Sequence, residues 1–407
     1  MNILRKCYCR SLQTAFHVAI PLLPYRKPQV IPKVERLPEI LRRHKCRHVL
    51  LVTDAGVYGL GLTARLEQVL KEHHIRCTIY DKTVANPTTA NVEEARAIYL
   101  LEGCDAIIGF GGGSSMDCAK AVGARIAKPR QSLARMKGIL RVHHRLPLLI
   151  AIPTTAGTGS ETTLAAVITD SKTRHKYAIN DFPLIPKYAV LDPRITVSLP
   201  PFITATTGLD ALTHAVEAYI GNSTTPKTRR AALTAVRLIF ANLDEAYAHG
   251  ENLKARRNML VASFHAGYAF TVSYVGYVHA VAHSLGGEYG VPHGLANAIL
   301  LPVFLEAYGP AIHKKLRDLA VAAGVADQNT PDEEAAERFI RAIRDMERRF
   351  QIPDTVPQIR REDIPKLSRY ADREANPLYP VPVLMDAGEL APFYERLMKK
   401  TEEDHHE

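Results

Sequence analysis

The chain has 407 residues, enough for roughly two or three domains that each bury a hydrophobic core. Its content of 46% hydrophobic and 23% charged residues is typical of globular proteins and excludes a disordered or fibrous architecture. The net charge is +10, but no run of basic residues is interleaved with aromatic side chains, so we expect no nucleic-acid partner.

A basic leader occupies residues 1–29. It carries several arginines and lysines and no acidic residue. Its apolar run, AFHVAIPLL, is short, contains Pro21 and is not followed by a small-x-small cleavage site. We therefore predict an amphipathic helix that packs on the body of the protein or makes weak contact with a membrane surface.

Two further observations concern the compartment. No segment has the roughly 20 uninterrupted apolar residues that are required to span a bilayer. The six cysteines form no repeated CxxC pair, which favours reduced thiols. We therefore expect a cytoplasmic protein.

Short apolar runs and amphipathic stretches alternate within residues 30–197. The apolar runs include HVLLVTD, CTIYD, CDAIIGFGG and PLLIAIPTT, and the stretches between them include GLTARLEQVLKEH, ANVEEARAIYLLEG and SSMDCAKAVGARIA. The runs AVITD, KYAIN and YAVLDP continue the pattern. Strand–helix alternation of this kind predicts an α/β domain with a mostly parallel sheet and helices on both of its faces.

The pattern changes after the turn SLPP. Long amphipathic stretches follow, among them ATTGLDALTHAVEAYIG, KTRRAALTAVRLIFANLDEAYAHG and DEEAAERFIRAIRDMERRF. We therefore predict an all-α domain over residues 198–407. The final residues, TEEDHHE, are expected to be disordered.

A glycine-rich turn, GGGS, lies between the apolar run AIIGF and the helical stretch MDCAKAV. Glycines at a strand end let backbone amides approach a ligand closely, and the positive end of the following helix favours an anion. The turn is neither a GxGxxG fingerprint nor a P-loop. It predicts a phosphate-binding site at this turn, Gly111, Gly112, Gly113 and Ser114.

A second polar loop, PTTAGTGSE, follows the strand LLIAI. At the carboxyl end of a parallel strand such a loop could contact a ligand, or it could simply begin a helix with Ser160 as its N-cap. Asp54 likewise ends the first strand of this region. Its carboxylate could accept hydrogen bonds from a ribose and favour NAD over NADP, or it could only form a turn.

Two pairs of side chains in the helical half have the spacing of a metal chelate. His279 and His283 lie four residues apart, as do Asp210 and His214, so each pair shares one helical face. Core histidines bound to carbonyls and a helix-stabilising Asp–His pair are the alternatives. Two such pairs, with His293 nearby, favour a cation bound by Asp210, His214 and two of the three later histidines.

The motifs GGGSSMDCAK, PTTAGTGSE, DALTHAVEAY and VHAVAHSLGGEYGVPHGLANAILLP occur in this order. By these motifs the sequence resembles the iron-containing, or group III, alcohol dehydrogenases, over about residues 30–395. The resemblance implies a dehydroquinate-synthase-like N-terminal α/β domain that binds NAD(P) and a helical domain that holds a divalent metal in the cleft. It also implies a homodimer.

Site residues follow from the same resemblance. The implied metal ligands are Asp210, His214, His279 and His293. His283 is implied to be a catalytic residue beside the nicotinamide that does not bind the metal. The implied cofactor-binding residues are Asp54, Gly112, Gly113, Ser114, Asp117, Thr154, Thr155, Thr158, Val167 and Lys176. The implied reaction is hydride transfer between the nicotinamide and a metal-bound alkoxide or carbonyl.

Some features leave the substrate and the metal open. Tyr274 stands just before the stretch that carries His279 and His283, at a position where the family often has small residues. Leu164 and Ala165, which follow the second polar loop, make another small or apolar wall. Fe²⁺ is the nominal metal of the family, but the ligand set also suits Zn²⁺. We expect a small alcohol or aldehyde as substrate.

The sequence also leaves other functions open. Within the superfamily, the alternatives are a zinc-dependent polyol or hydroxy-acid dehydrogenase and a dehydroquinate-synthase-like lyase. A metal-dependent hydrolase and a basic membrane-associated binding protein are alternatives from other classes.

Overall fold

The computed structural model describes residues 1–398, so the tail TEEDHHE lies outside the described residues. The strands are β1 (Gln29–Ile31), β2 (His48–Val52), β3 (Arg76–Tyr80), β4 (Ala106–Gly111), β5 (Gly138–Ile139), β6 (Leu148–Pro153), β7 (Ala165–Thr169), β8 (Lys176–Asn180) and β9 (Tyr188–Val190). The helices of the first half are α1 (Ile3–Ala19), α2 (Leu37–Arg43), α3 (Ala55–Gly59), α4 (Ala64–Glu72), α5 (Thr89–Leu101), α6 (Gly113–Ala127) and α7 (Leu133–Met136). The helices of the second half are α8 (Pro201–Ile220), α9 (Pro226–Ala248), α10 (Leu253–Ser273), α11 (Tyr277–Tyr289), α12 (His293–Tyr308), α13 (His313–Ala323), α14 (Asp332–Arg349), α15 (Ile364–Ala375) and α16 (Ala387–Leu397).

Contacts between residues divide the chain into two compact units. The α/β unit contains Pro24–Leu199 and Gly250–Thr271, and the helical unit contains Met1–Leu23, Pro200–His249 and the chain from Val272 onward. The sequence pattern predicts a division into residues 1–29, 30–197 and 198–407. The structure instead groups the leader helix with the helical unit, and most of α10 with the α/β unit.

The α/β unit is built on a six-stranded parallel sheet with the order β1-β9-β6-β4-β2-β3. Alternate residues of β2 enter two different hydrophobic clusters, with Leu50 and Val52 in one and Val49 and Leu51 in the other. Both faces of the strand are therefore buried, as is usual for a parallel sheet covered by helices on each side. The predicted α/β fold with a parallel sheet is confirmed.

A smaller three-stranded sheet, in the order β5-β8-β7, also belongs to this unit. β7 and β8 pair antiparallel, whereas β5 and β8 pair parallel. The sequence pattern did not predict β1 and β5, because strands of three and two residues are too short to show an alternation.

The helical unit is centred on α8. This helix begins with Pro201, which suits the first helical turn because proline lacks an N–H group and has its φ angle preset. From Thr204 to Ile220 nearly every residue is buried. α9 begins with a capping box in which Thr225 accepts from the backbone N–H of Thr228. The predicted all-α C-terminal domain is confirmed.

One segment, His293–Ala311, meets the length and composition of a membrane span. Within the most apolar 18-residue stretch of this segment, 61% is buried inside the structure. The apolar side chains of this segment therefore pack largely against other parts of the protein, as in a core helix.

The leader helix α1 packs on the C-terminal part of the helical unit. Arg5 makes a bidentate ion pair with Asp372, at 2.9 and 2.6 Å. The guanidinium of Arg10 donates to the backbone carbonyl of Val381, at 2.7 Å. The predicted packing on the body of the protein is therefore observed. Outward-facing apolar residues remain exposed, namely Ile3, Leu4, Tyr8, Val18 and Leu22, and membrane contact stays a prediction.

Candidate metal centre

α8 presents Asp210 and His214 to the interior of the helical unit. They stand one turn apart, and both side chains are almost fully buried. The Nδ1 atom of His214 lies 3.9 Å from Oδ1 of Asp210. A carboxylate and an imidazole thus share one buried helix face, as the spacing predicted.

His279 of α11 and His293 at the first turn of α12 complete the group. One ligand atom from each of Asp210, His214, His279 and His293 lies within 4.8 Å of the other three. The Nε2 atom of His293 is 3.6 Å from Oδ1 of Asp210. A tetrahedral site with bonds of about 2.1 Å has ligand–ligand separations of about 3.4 Å. The four side chains therefore fit a single divalent cation.

Two glycines allow the helices to approach this closely. A Cβ on Gly276 would stand 2.7 Å from Oε1 of Glu217, and a Cβ on Gly294 would stand 2.7 Å from the carbonyl oxygen of Thr206. Neither position has room for a side chain. Gly276, three residues before His279, and Gly294, directly after His293, are therefore required by packing at the centre.

Glu217 orients one of the histidine rings. Its Oε2 lies 2.6 Å from Nδ1 of His279, and its Oε1 accepts from the backbone N–H of Val278 at 2.9 Å. Burial, together with the neighbouring His214 and His293, holds the pKa of His279 well below its usual value. The ring is therefore neutral, and with its proton on Nδ1 it presents a lone pair on Nε2 to the centre.

Asn297 marks the point on which the lone pairs converge. Its Nδ2 lies 2.7 Å from Oδ1 of Asp210 and 3.1 Å from Nε2 of both His279 and His293. Its buried Oδ1 has no hydrogen-bond partner among residues 1–398. Three acceptor atoms thus face one donor, and an electron-rich arrangement of this kind suits a cation.

Sequence reasoning missed Glu217 and Asn297, although the helical spacing could have indicated both. Glu217 follows His214 by three residues, and Asn297 follows His293 by four, so each shares a helix face with a ligand. Neither residue belongs to the predicted ligand set. Their roles follow from contacts with His279, which is distant in sequence.

His283 stands beside the centre without joining it. Its ring is stacked on that of His293, with the centroids 5.1 Å apart. Its Nδ1 lies 2.6 Å from Oε1 of Glu374, which also accepts from the hydroxyl of Tyr379 at 2.9 Å. Burial would raise the pKa of Glu374, but His283 and Tyr379 outweigh it and hold this pKa below its ordinary value.

The predicted cofactor-binding residues lie in the α/β unit, near the carboxyl ends of β2, β4 and β6 and on the β7–β8 hairpin. Asn86 links two of them, because its backbone N–H donates to Oγ of Ser114 at 3.2 Å and its Oδ1 accepts from Nζ of Lys176 at 2.6 Å. Gly113 lies beside Thr158, since a Cβ there would be 3.5 Å from the threonine methyl.

Asp117 connects the second loop to the hairpin. It accepts from the hydroxyl of Ser160 at 2.8 Å and from the backbone N–H of Val167 at 3.0 Å. Lys120, which is fully buried and was not predicted, also donates to Ser160, at 2.9 Å. Ser160 begins only a short 3₁₀ turn, whose N-cap is Gly159. The loop is therefore held in place by buried polar contacts and does not begin an α-helix.

The remaining predicted residues surround the start of α6. The backbone N–H of Thr154 donates to the carbonyl of Gly111, and Thr155 follows it, half-buried. Gly112 is the N-cap of α6, where no side chain accepts from the first amides. These amides can bind an anion such as a pyrophosphate.

Asp54 has the local structural role that the sequence left open, while its contact with a ribose stays a prediction. Its Oδ1 caps α3 by accepting from the backbone N–H of Val57 at 3.0 Å. Its Oδ2 accepts from the hydroxyl of Ser115 at 3.0 Å, beside the glycine-rich turn. The carboxylate is thus a helix cap that lies next to the predicted phosphate site.

Together, these features define a class of protein. A parallel α/β unit with a glycine-rich helix start, and a helical unit with a closed set of one carboxylate and three imidazoles, are the parts of a metal-dependent, dinucleotide-linked oxidoreductase. Residues 31–193 match the family model for the iron-containing alcohol dehydrogenases, and residues 204–397 match the C-terminal model of the same family. The chain belongs to the iron-containing alcohol dehydrogenase family.

Similar proteins have related activities. The chain is 38% identical to 1,3-propanediol dehydrogenase of Klebsiella pneumoniae over 365 residues, which cover 89% of this chain and 93% of that protein. It resembles the crystal structure of a 1,3-propanediol oxidoreductase with a TM-score of 0.87 and 35% identity, over 92% of this chain and 98% of the other. It resembles sulfoacetaldehyde reductase of Bifidobacterium kashiwanohense in complex with NAD⁺ with a TM-score of 0.82 and 28% identity, over 93% and 99%. The chain is an enzyme of the alcohol dehydrogenase kind.

Proposed function

We propose that this enzyme interconverts a small alcohol and its aldehyde, with NAD as the hydride carrier and a divalent metal held by Asp210, His214, His279 and His293. The observation that carries the proposal is the convergence of one carboxylate oxygen and three imidazole nitrogens within 4.8 Å of one another. Three neutral imidazoles and one carboxylate carry a single negative charge, so a divalent cation keeps a net positive charge.

The bound groups would supply two kinds of chemistry. The metal would act as a Lewis acid that lowers the pKa of a substrate hydroxyl, and the nicotinamide would exchange a hydride with the substrate carbon. The protein would keep the donor atoms fixed: Glu217 holds the ring of His279, and Asn297 holds Asp210.

His283 is suited to move the proton. Because Glu374 binds its Nδ1, the ring keeps one orientation, and Nε2 is the atom that would accept a proton from the alcohol. The Glu374 carboxylate would stabilise the imidazolium that forms. In aldehyde reduction the same ring would return the proton.

NAD is the preferred dinucleotide in this proposal. A similar structure holds NAD⁺. In this chain Asp54, two residues after β2, carries the carboxylate that would repel a 2′-phosphate in this proposal. Comparison of turnover with NAD and NADP at equal concentrations tests this preference.

Fe²⁺ is the proposed metal, because the family is the iron-containing one. The affinity order favours Zn²⁺ over Fe²⁺ for this ligand set at equal availability. Elemental analysis of protein purified without oxygen distinguishes the two metals.

The central experiment follows NADH absorbance with a panel of alcohols and aldehydes after reconstitution with Fe²⁺ or Zn²⁺. We expect turnover that depends on added metal and is lost in the presence of a chelator. Absence of NAD binding in a fluorescence titration would contradict the proposal and favour a metal-dependent hydrolase.

Location and assembly are also proposed. Six free cysteines, with no disulfide among the described residues, are typical of the cytoplasm. A homodimer is proposed from the family resemblance. Cell fractionation and light scattering of the purified protein test the two proposals.

A further inference from the structure

A third carboxylate stands close to the proposed reaction site. Glu374 of α15 lies 2.6 Å from His283, whose ring is 5.1 Å from that of His293 and 6.0 Å from that of His279, centroid to centroid. The side chains of Glu374, His283 and His293 are 34%, 42% and 38% exposed. One imidazole ring therefore separates this carboxylate from the metal ligands, on an accessible side of the centre.

The acidic groups here pair with histidine and with uncharged partners. In the described part of the chain, the recorded hydrogen bonds and ion pairs of Asp210, Glu217 and Glu374 reach histidine, asparagine, tyrosine and backbone N–H groups, but no lysine or arginine. With a divalent cation bound, the single carboxylate ligand Asp210 leaves one net positive charge at the centre, and the nearby carboxylate of Glu374 offsets it for a group that approaches on this side. A negatively charged substrate thus gains little attraction from the centre and meets a carboxylate at short range.

Contacts of its partner Tyr379 hold Glu374 in this position. Its second partner, Tyr379, is itself held through its backbone carbonyl, which accepts from Nε2 of Gln13 in α1 at 2.7 Å. The ring of Tyr379 is 6.5 Å from that of Tyr274, and Phe16 of α1 meets Tyr274 edge-on at 5.2 Å. Because its partners are held on both sides, the carboxylate cannot easily swing away from an incoming anion.

We propose that Glu374 determines the substrate class of this enzyme by rejecting alcohols and aldehydes that carry a carboxylate, sulfonate or phosphate and admitting uncharged or cationic ones. The inference rests on the proposed function and names the substrates of the same site. By this proposal the site accepts polyols and simple alcohols and disfavours hydroxy acids.

The test uses three-carbon primary alcohols that differ only at the far end: propane-1,3-diol, 1-propanol, 3-aminopropan-1-ol and 3-hydroxypropanoate. Wild-type protein and Glu374→Gln are compared by kcat/KM with NAD and by calorimetric binding of each compound to the metal-loaded protein. The glutamine keeps an oxygen that accepts from Nδ1 of His283 but removes the charge. We expect the preference for propane-1,3-diol over 3-hydroxypropanoate to fall by about tenfold or more in the variant, in both measurements.

Glu395→Gln, an exposed glutamate on α16 of the same unit, is the matched control and should leave the preference unchanged. Equal binding of 3-hydroxypropanoate and propane-1,3-diol to wild-type protein, or an unchanged preference in Glu374→Gln, would overturn the inference and leave the dehydrogenase proposal intact. Failure of all four alcohols to reduce NAD would count against the proposed function, while the binding measurements would still decide the role of Glu374.

Discussion

Individual hydrogen bonds determine which nitrogen of each histidine is available for chemistry. Glu217 binds Nδ1 of His279, and Glu374 binds Nδ1 of His283, both at 2.6 Å. In both rings Nε2 is therefore the atom to which we assign the chemistry, metal binding in His279 and proton transfer in His283. The first ring is fully buried among metal ligands and the second is 42% exposed, so two similar Glu–His pairs acquire different roles from their surroundings.

The ligands and His283 should therefore respond differently to mutation. We expect Asp210→Ala and His279→Ala to lose the metal and all turnover, because each removes one of four donor atoms. His283→Ala should lower turnover roughly 10²-fold or more while the metal stays bound, because only proton transfer is affected. Metal content and kcat are measured together. A His283→Ala protein without metal would contradict this division of roles.

Glu217→Gln tests the contact that orients His279. An amide in place of the carboxylate weakens the hold on the Nδ1 proton, and loss of an outer partner of this kind typically costs about 10–100-fold in metal affinity. Affinity is measured by competition with a chelator. Glu245→Gln is a matched control, since Glu245 pairs with Nδ1 of His249 at 3.1 Å on the surface. Equal affinities in the two variants would show that Glu217 does not position the ligand.

At the scale of elements, helices α8, α11 and α12 each contribute to the centre, and α1 and α15 support the residues beside it. Helical periodicity puts Asp210, His214 and Glu217 on one face of α8. α1 contributes no ligand. Its buried Gln13 instead binds the carbonyls of Pro377 and Tyr379, at 3.1 and 2.7 Å.

Removal of the Gln13 amide should destabilise the C-terminal part of the helical unit. Gln13→Ala removes the donor to the carbonyl of Pro377 and one of two donors to the carbonyl of Tyr379, which also accepts from the backbone N–H of Val381 at 2.8 Å. The loss of these buried bonds costs about 1–3 kcal/mol. We expect a lower free energy of unfolding and a smaller kcat, because Tyr379 loses its support. Thr14→Ala, one residue further along and exposed, is the control. If urea unfolding gives the same stability for both variants, α1 does not support this region.

At the scale of the whole molecule, buried carboxyl groups make stability depend on pH. Burial raises the pKa of Glu161 and Glu217 to about 7 and that of Glu347 to about 8. A carboxyl group whose pKa is raised on folding holds more protons in the folded than in the unfolded state between its two pKa values. The stability it contributes is therefore complete below about pH 4.5 and is lost as the pH rises to about 8.

Glu347→Gln should reduce this loss. Glu347 is distant in sequence from the metal ligands, and Arg344 is its nearest recorded partner, at 3.8 Å. From pH 5 to pH 8 we expect metal-free wild-type protein to lose about 3–4 kcal/mol more than the variant. Urea unfolding at several pH values measures the difference. The exposed Glu337→Gln on the same helix should behave as wild type, and parallel pH profiles for wild type and Glu347→Gln would refute the expectation.

The sequence by itself determined that one half of the chain is α/β and the other all-α. It also determined the helix faces that carry Asp210, His214 and the later histidines, because periodicity is a local property of the chain. Tertiary structure alone decided which residues complete the site. His283 and Glu374 are 91 positions apart, and Gln13 and Tyr379 are 366 apart. Such pairs form only when separate helices pack together, so no local pattern contains them. For the same reason, the packing partner of the leader helix and the carboxylate beside His283 could not be read from the order of the residues.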